Sequence, residues 1–163
     1  MSDQFNKTVH INAQPAAIWM ALTDPEQMKQ WMGEPEMDLE VETSWQVGSP
    51  FLISGFHHVR FINKGTLLQY DLHKTLQYTH LSSISRLSDK PEHYTWFKFE
   101  LAPVETGTAL TLTIDNFPTA VIYQHLNFYW RTTLEKIRLF VEAQAGAPVS
   151  PTQPGIGQLA QGS

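Results

Sequence analysis

The segment from Pro118 to Ala143 restricts the fold of this chain more than any other. Read at 100° per residue, Leu126, Trp130, Leu134, Ile137, Phe140 and Val141 fall within one arc of about 120°, with Ile122, Tyr129 and Thr133 on its near side. Gln124, Asn127, Arg131, Glu135, Arg138 and Glu142 take the opposite face. A second, thinner apolar strip carries Val121, Phe128 and Leu139, with His125 and Lys136 between the two. A helix of about 26 residues reaches roughly 39 Å. An apolar face that long and wide needs an extended apolar partner, and what precedes it reads as strands.

Between Met37 and Phe117, runs of apolar and β-branched residues alternate with turn signals. Strands are expected at 37–42, 50–57, 65–74, 76–84, 93–102 and 108–117. The breaks are Gly48-Ser49-Pro50, Asn63-Lys64-Gly65, Ser88-Asp89-Lys90-Pro91 and Glu105-Thr106-Gly107. Thr95, Phe97, Phe99 and Leu101 alternate cleanly with Trp96, Lys98 and Glu100, the pattern of an antiparallel strand with one buried face. An earlier strand is expected from Phe5 to Ala13. Pro15 then opens a short apolar helix, and Thr23-Asp24-Pro25 caps and starts a second that stops at Gly33. The order is strand, two short helices, about six strands, one long helix. That order predicts an α+β layer with the helix across the concave side of an antiparallel sheet. Residues 1–145 form this domain. The Pro- and Gly-rich stretch 146–163, which has no charged side chain, reads as a tail with the Val121, Phe128 and Leu139 strip as a candidate dock. A homodimer is the other way to cover that strip.

Charge and composition remove several classes of function. The formal net charge is −5 and no Lys/Arg run is present, against a nucleic-acid surface. There is no cysteine, hence no disulfide framework, thiol nucleophile or thiolate metal site. The N-terminus lacks a signal-peptide core and AAIWMAL is far short of a membrane span, so a soluble cytoplasmic protein without membrane contact is expected. No nucleophile elbow, phosphate loop or dinucleotide fingerprint occurs, and no cofactor is implied. His57-His58 attracts attention as a metal pair. On a strand the two would point to opposite faces, one outside and one at a sheet edge, and no further ligand motif completes a site. Glu34, Glu36, Asp38, Glu40 and Glu42 read as a solvated strand face. Aromatic content, 12%, is the unusual total, and large rings suit a big core or an apolar pocket.

Several stretches resemble a known superfamily. Pro15, Trp19, Leu22-Thr23-Asp24-Pro25 and Trp31 match its opening; Gly65-Thr66-Leu67-Leu68, Leu76-Gln77-Tyr78-Thr79 and Gly107-Thr108-Ala109-Leu110-Thr111-Leu112 match its strands. Trp130 with Leu134 and Ile137 matches its final helix, although Tyr129 stands where a glycine is usual. Over about residues 5 to 144 the chain thus resembles the SRPBCC (START-like, birch-pollen-allergen-like) superfamily. It is nearest the group named for the activator of the heat-shock-chaperone ATPase. The resemblance implies a helix-grip fold: a curved antiparallel sheet of about six or seven strands wrapped round the long C-terminal helix, enclosing an apolar cavity.

On that reading Trp130, Leu134, Ile137 and Val141 plug the core, and Ile122, His125, Leu126 and Tyr129 roof the cavity. Tyr70, Tyr78, Phe97 and Phe99 would line it, and His80, sharing strand parity with Leu76 and Tyr78, would face inward. A histidine there can donate to a ligand carbonyl or move a proton; it can also be a core histidine satisfied by a carbonyl or hydroxyl. Tyrosines offer an apolar ring with one polar tip, suited to an apolar ligand with few polar atoms, though the same rings can simply fill a core. The expected function is binding of a hydrophobic small molecule without catalysis. One alternative is a cyclase- or aromatase-like enzyme using a cavity His or Tyr. A second is a co-chaperone-like module acting through outer residues such as Trp96, Lys98 and Glu100.

Overall fold

The computed structural model describes residues 3–145, so the tail reading for 146–163 lies outside the described residues. Seven strands form one antiparallel sheet in the order β1-β7-β6-β5-β4-β3-β2. They are β1 (Phe5–Ile11), β2 (Glu40–Thr43), β3 (Pro50–His57), β4 (Val59–Asp71), β5 (Thr75–Ser82), β6 (Thr95–Val104) and β7 (Gly107–Asp115). Two short helices, α1 (Pro15–Thr23) and α2 (Pro25–Met32), follow β1, and α3 (Ala120–Ala145) closes the described chain. No helix among the described residues is long and apolar enough to cross a membrane.

Local sequence chemistry accounts for the junctions. Pro15 and Pro25 each stand at the start of a helix, where the missing N–H is not needed, and the Asp24 carboxylate caps α2 by accepting from the Glu26 amide at 3.2 Å. Thr119 caps α3 by accepting from the Ile122 amide at 3.1 Å, so the helix begins just after Pro118-Thr119. Along β7, and along β6 as far as Ala102, burial alternates, with Phe97, Phe99, Leu101, Leu110, Leu112 and Ile114 inward. The broad stripe of α3 meets that face: Leu134, Ile137 and Val141 have no exposed surface. Each contributes on the order of 1.5–3 kcal/mol of burial. Near its other end, α3 is tied to the β1–α1 junction where the Asn12 amide donates to Glu142 Oε2 at 2.9 Å.

The strand boundaries depart from expectation in two places. The β3–β4 turn is not at Asn63-Lys64-Gly65 but at His58, which adopts the left-handed conformation at φ 64° between paired His57 and Val59. Gly65 lies inside β4, where a Cβ would stand 1.7 Å from the Thr79 carbonyl oxygen. Its role is close backbone approach, not a turn. The acidic stretch does not run as one strand either. Pro35–Met37 is a 3-10 turn, Asp38 is left-handed, and the strand starts only at Glu40.

Candidate functional site

Where the N-terminal half of α3 packs on the concave face at β6, aromatic rings from five elements meet. Tyr78 of β5 pairs in register with Phe97 of β6, and Leu76 with Phe99. The Tyr78 ring is stacked between Phe51 of β3, at 4.3 Å between centroids, and Phe97, at 5.5 Å. Trp130 of α3 packs on both Phe97 and Phe99, at 5.8 Å to each, and against Trp31 of α2 at 6.1 Å. Leu126 is buried in the same cluster and Ile122 is half-buried against it.

Polar groups gather at one edge of these rings. His80 stands edge-on to Phe97 at 5.4 Å, so its inward parity with Tyr78 holds. Across from it, His125 lies nearly parallel to Tyr129, at 6.5 Å, and is exposed at the rim of α3. The Tyr129 hydroxyl donates to the Met32 carbonyl at 2.7 Å, which anchors the end of α2 to α3. Burial, reinforced by the nearby His125, lowers the His80 imidazole to about 4. Burial raises the Tyr78 hydroxyl, reinforced by Tyr129. Burial raises Tyr129 as well, partly offset by the Thr133 hydroxyl. Tyr78, Tyr129 and His80 are therefore all neutral near pH 7, and each feels the group opposite.

Tyr70 sits apart. Its hydroxyl accepts from Trp19 Nε1 at 3.4 Å, its ring meets Trp19 and Trp45 at 5.2 and 5.8 Å, and Trp45 in turn packs on Phe51 of the main cluster. Phe51, Trp31 and Trp45 were not among the residues that the sequence placed at the site. The alternation of Phe51 and Ile53 along β3 was the signal for the first; the other two come from loop and helix positions that periodicity does not assign. Trp96 and Glu100 face outward on β6.

His57 and His58 are both exposed, and their ring centroids are 4.6 Å apart at the hairpin tip, not on opposite faces. The turn at His58 swings the rings together. Among the described residues no group of three or more His, Asp or Glu could hold a metal ion. A separate open cleft of about 490 Å³ lies on the outside between α2, the 3-10 turn and α3, bordered by Lys29, Glu34, Asp38, Lys136 and Leu139.

The lowered His80 pKa predicts a pH dependence of stability. The unfolded imidazole titrates near 6.5 and the folded one near 4, so between these values the unfolded state binds more protons. The stability present above pH 6.5 is lost as pH falls toward 4. The loss is on the order of 2 to 3 kcal/mol. Urea unfolding at pH 7, 6, 5 and 4 should show this slope flattened in His80→Gln; parallel slopes in the two proteins would assign it elsewhere.

A curved antiparallel sheet gripping a long C-terminal helix, with two short helices after the first strand, defines a helix-grip protein. The chain belongs to the family described as activator of Hsp90 ATPase homolog 1-like proteins, whose model it matches over residues 12–142. Among solved structures it is similar to a protein from Cytophaga hutchinsonii, with 30% identity and a TM-score of 0.74, covering 89% of this chain and 97% of that one. The Aha1 dimer from Colwellia psychrerythraea is 23% identical with a TM-score of 0.69, over 88% and 99% of the two chains. A Mesorhizobium loti protein is 23% identical with a TM-score of 0.68, over 86% and 97%. The last two likenesses concern the fold alone. No curated protein matches the chain.

Proposed function

We propose that this protein binds a hydrophobic small molecule between α3 and the concave face of the sheet. The observation that carries the reading is the arrangement of Tyr78, Phe97, Phe99 and Trp130 as aromatic walls, with His80, His125 and Tyr129 at one edge. Apolar walls with a few convergent polar groups are the usual make-up of a small-molecule site. The walls supply affinity by burial, and the polar edge orients the ligand. Residues His80 and Tyr78 act as neutral hydrogen-bonding groups in this role.

The thin strip on α3 supports a further part of the reading. Val121, Phe128 and Leu139 are 74%, 78% and 54% exposed on one side of the helix. Large apolar residues aligned this way are a candidate self-association face, and the Colwellia relative is a dimer in solution.

Native mass spectrometry of freshly purified protein tests both parts. An extra mass that disappears on denaturation is expected, and the complex is expected at twice 18.6 kDa. An apo mass that also stays unchanged on incubation with a panel of neutral aromatic compounds would count against ligand binding. A monomer at tens of micromolar would count against the self-association face.

A further inference from the structure

Two hydrogen-bond donors in the aromatic cluster find no acceptor among the described residues. The Tyr78 hydroxyl and the Trp130 indole N–H make no hydrogen bond among the described residues, although the two side chains are only 5% and 6% exposed. By contrast the Trp31 indole N–H donates to the Ala21 carbonyl at 2.8 Å and the Trp19 indole to Tyr70. Among the described residues Gln27 Oε1 is the one unpaired side-chain polar atom that is fully occluded. The Tyr78 and Trp130 donors therefore each keep a patch that a water-sized sphere can touch. Both rings pack on Phe97 and Phe99, so the two side chains belong to the same part of the interior.

A donor this deep with no protein acceptor is left to pair with whatever enters beside it, water or ligand. A phenylalanine at position 78 would make the same stack between Phe51 and Phe97 without the donor, so packing gives no reason for this hydroxyl. The surroundings also restrict what could pair with it. No Asp, Glu, Lys or Arg is buried among the described residues, and the buried polar side chains are all threonines. The Tyr129 proton is already committed to Met32. A carboxylate or ammonium entering this region would shed its hydration without meeting a counter-charge. A carbonyl or ether oxygen would lose much less and could accept from the free donors. The neutrality of His80 at ordinary pH is consistent with this, since it offers an uncharged partner and not a cation.

Resting on the small-molecule reading above, we infer that the ligand is an uncharged, ring-containing molecule with an acceptor oxygen. That oxygen takes the Tyr78 hydroxyl and approaches the Trp130 N–H, and the site discriminates against carboxylates of the same shape.

Three probes on one skeleton separate the possibilities: 2-acetylnaphthalene, 2-ethylnaphthalene and 2-naphthoate, titrated into the full chain at pH 7 and followed by amide and indole N–H shifts in NMR. The ketone is expected to bind and to move the Trp130 indole signal, with the carboxylate at least tenfold weaker. Tyr78→Phe removes an unpaired hydroxyl and is expected to fold at least as stably. It should weaken the ketone roughly tenfold, the worth of one neutral hydrogen bond, and leave the hydrocarbon within twofold. Equal binding of ketone and carboxylate, or no effect of Tyr78→Phe on the ketone, overturns the inference and leaves the cavity reading standing. If none of the three moves any signal from the aromatic cluster up to its solubility limit, the small-molecule reading falls and this inference with it.

Discussion

Gly65→Ala is expected to lower stability by about 3 to 4 kcal/mol, an effect as large as a major core truncation, from the addition of one methyl group. The added Cβ would stand 1.7 Å from the Thr79 carbonyl oxygen and 2.4 Å from its carbon. Both are backbone atoms, so no side-chain rotation relieves the clash, and β4 and β5 must move apart locally. The two strands are already irregular there. Their register shifts between Leu67 and Gln69, and the Thr66 amide donates to Thr79 Oγ1 at 2.9 Å. Thr79 lies between Tyr78 and His80, so the displacement also reaches the candidate site. Gly48→Ala is the matched control: a Cβ there meets nothing within 4 Å, and only its φ of +91° opposes the change. That left-handed strain is expected to cost about 1 kcal/mol. Urea midpoints with unchanged slopes would measure both, and a loss below 1 kcal/mol at position 65 would mean the strands can part cheaply.

Gly65 also illustrates what periodicity can and cannot deliver. A glycine after Asn63-Lys64 has the composition of a turn, yet here it marks two backbones in contact, and the real turn falls on His58, a residue type with no strong turn signal. Composition reports that the chain needs a small residue; it does not report whether the need is conformational or steric. The same ambiguity placed a strand start at Met37, where Asp38 instead takes the left-handed conformation. The long helix and the alternation in β6 and β7 were legible because one stripe or one parity carries the whole signal. That Tyr78, Phe97 and Phe99 point inward followed from parity, whereas their place at a ligand site was what the resemblance implied. Phe51 did not, because its stack on Tyr78 spans β4 and depends on the register of three strands. Tyr70 faces its own group of Trp19 and Trp45 beyond the irregularity in β4, which no local pattern announces. That the Tyr78 hydroxyl is unpaired belongs to tertiary geometry and has no counterpart in the sequence.

Trp130→Ala is expected to lower stability by about 3 to 5 kcal/mol. Its ring is the one that touches α2 through Trp31, β6 through Phe97 and Phe99, and its own helix neighbour Tyr129. Truncation removes the burial of an indole and leaves a space bounded by rigid aromatic rings that cannot all collapse into it. Trp96→Ala, on the exposed face of β6, should change stability by less than about 1 kcal/mol, so the difference reports position and not residue type. The truncated protein also provides a test of the region's shape. If the lost ring leaves a formed aromatic chamber, free indole should occupy it and raise the unfolding temperature of Trp130→Ala, by about 1.4 kcal/mol of stability at ten times its dissociation constant, while leaving Trp96→Ala unmoved. If indole has no effect on Trp130→Ala, the surrounding rings have closed in, and Trp130 is then a plug that fills a core and not one wall of a standing site.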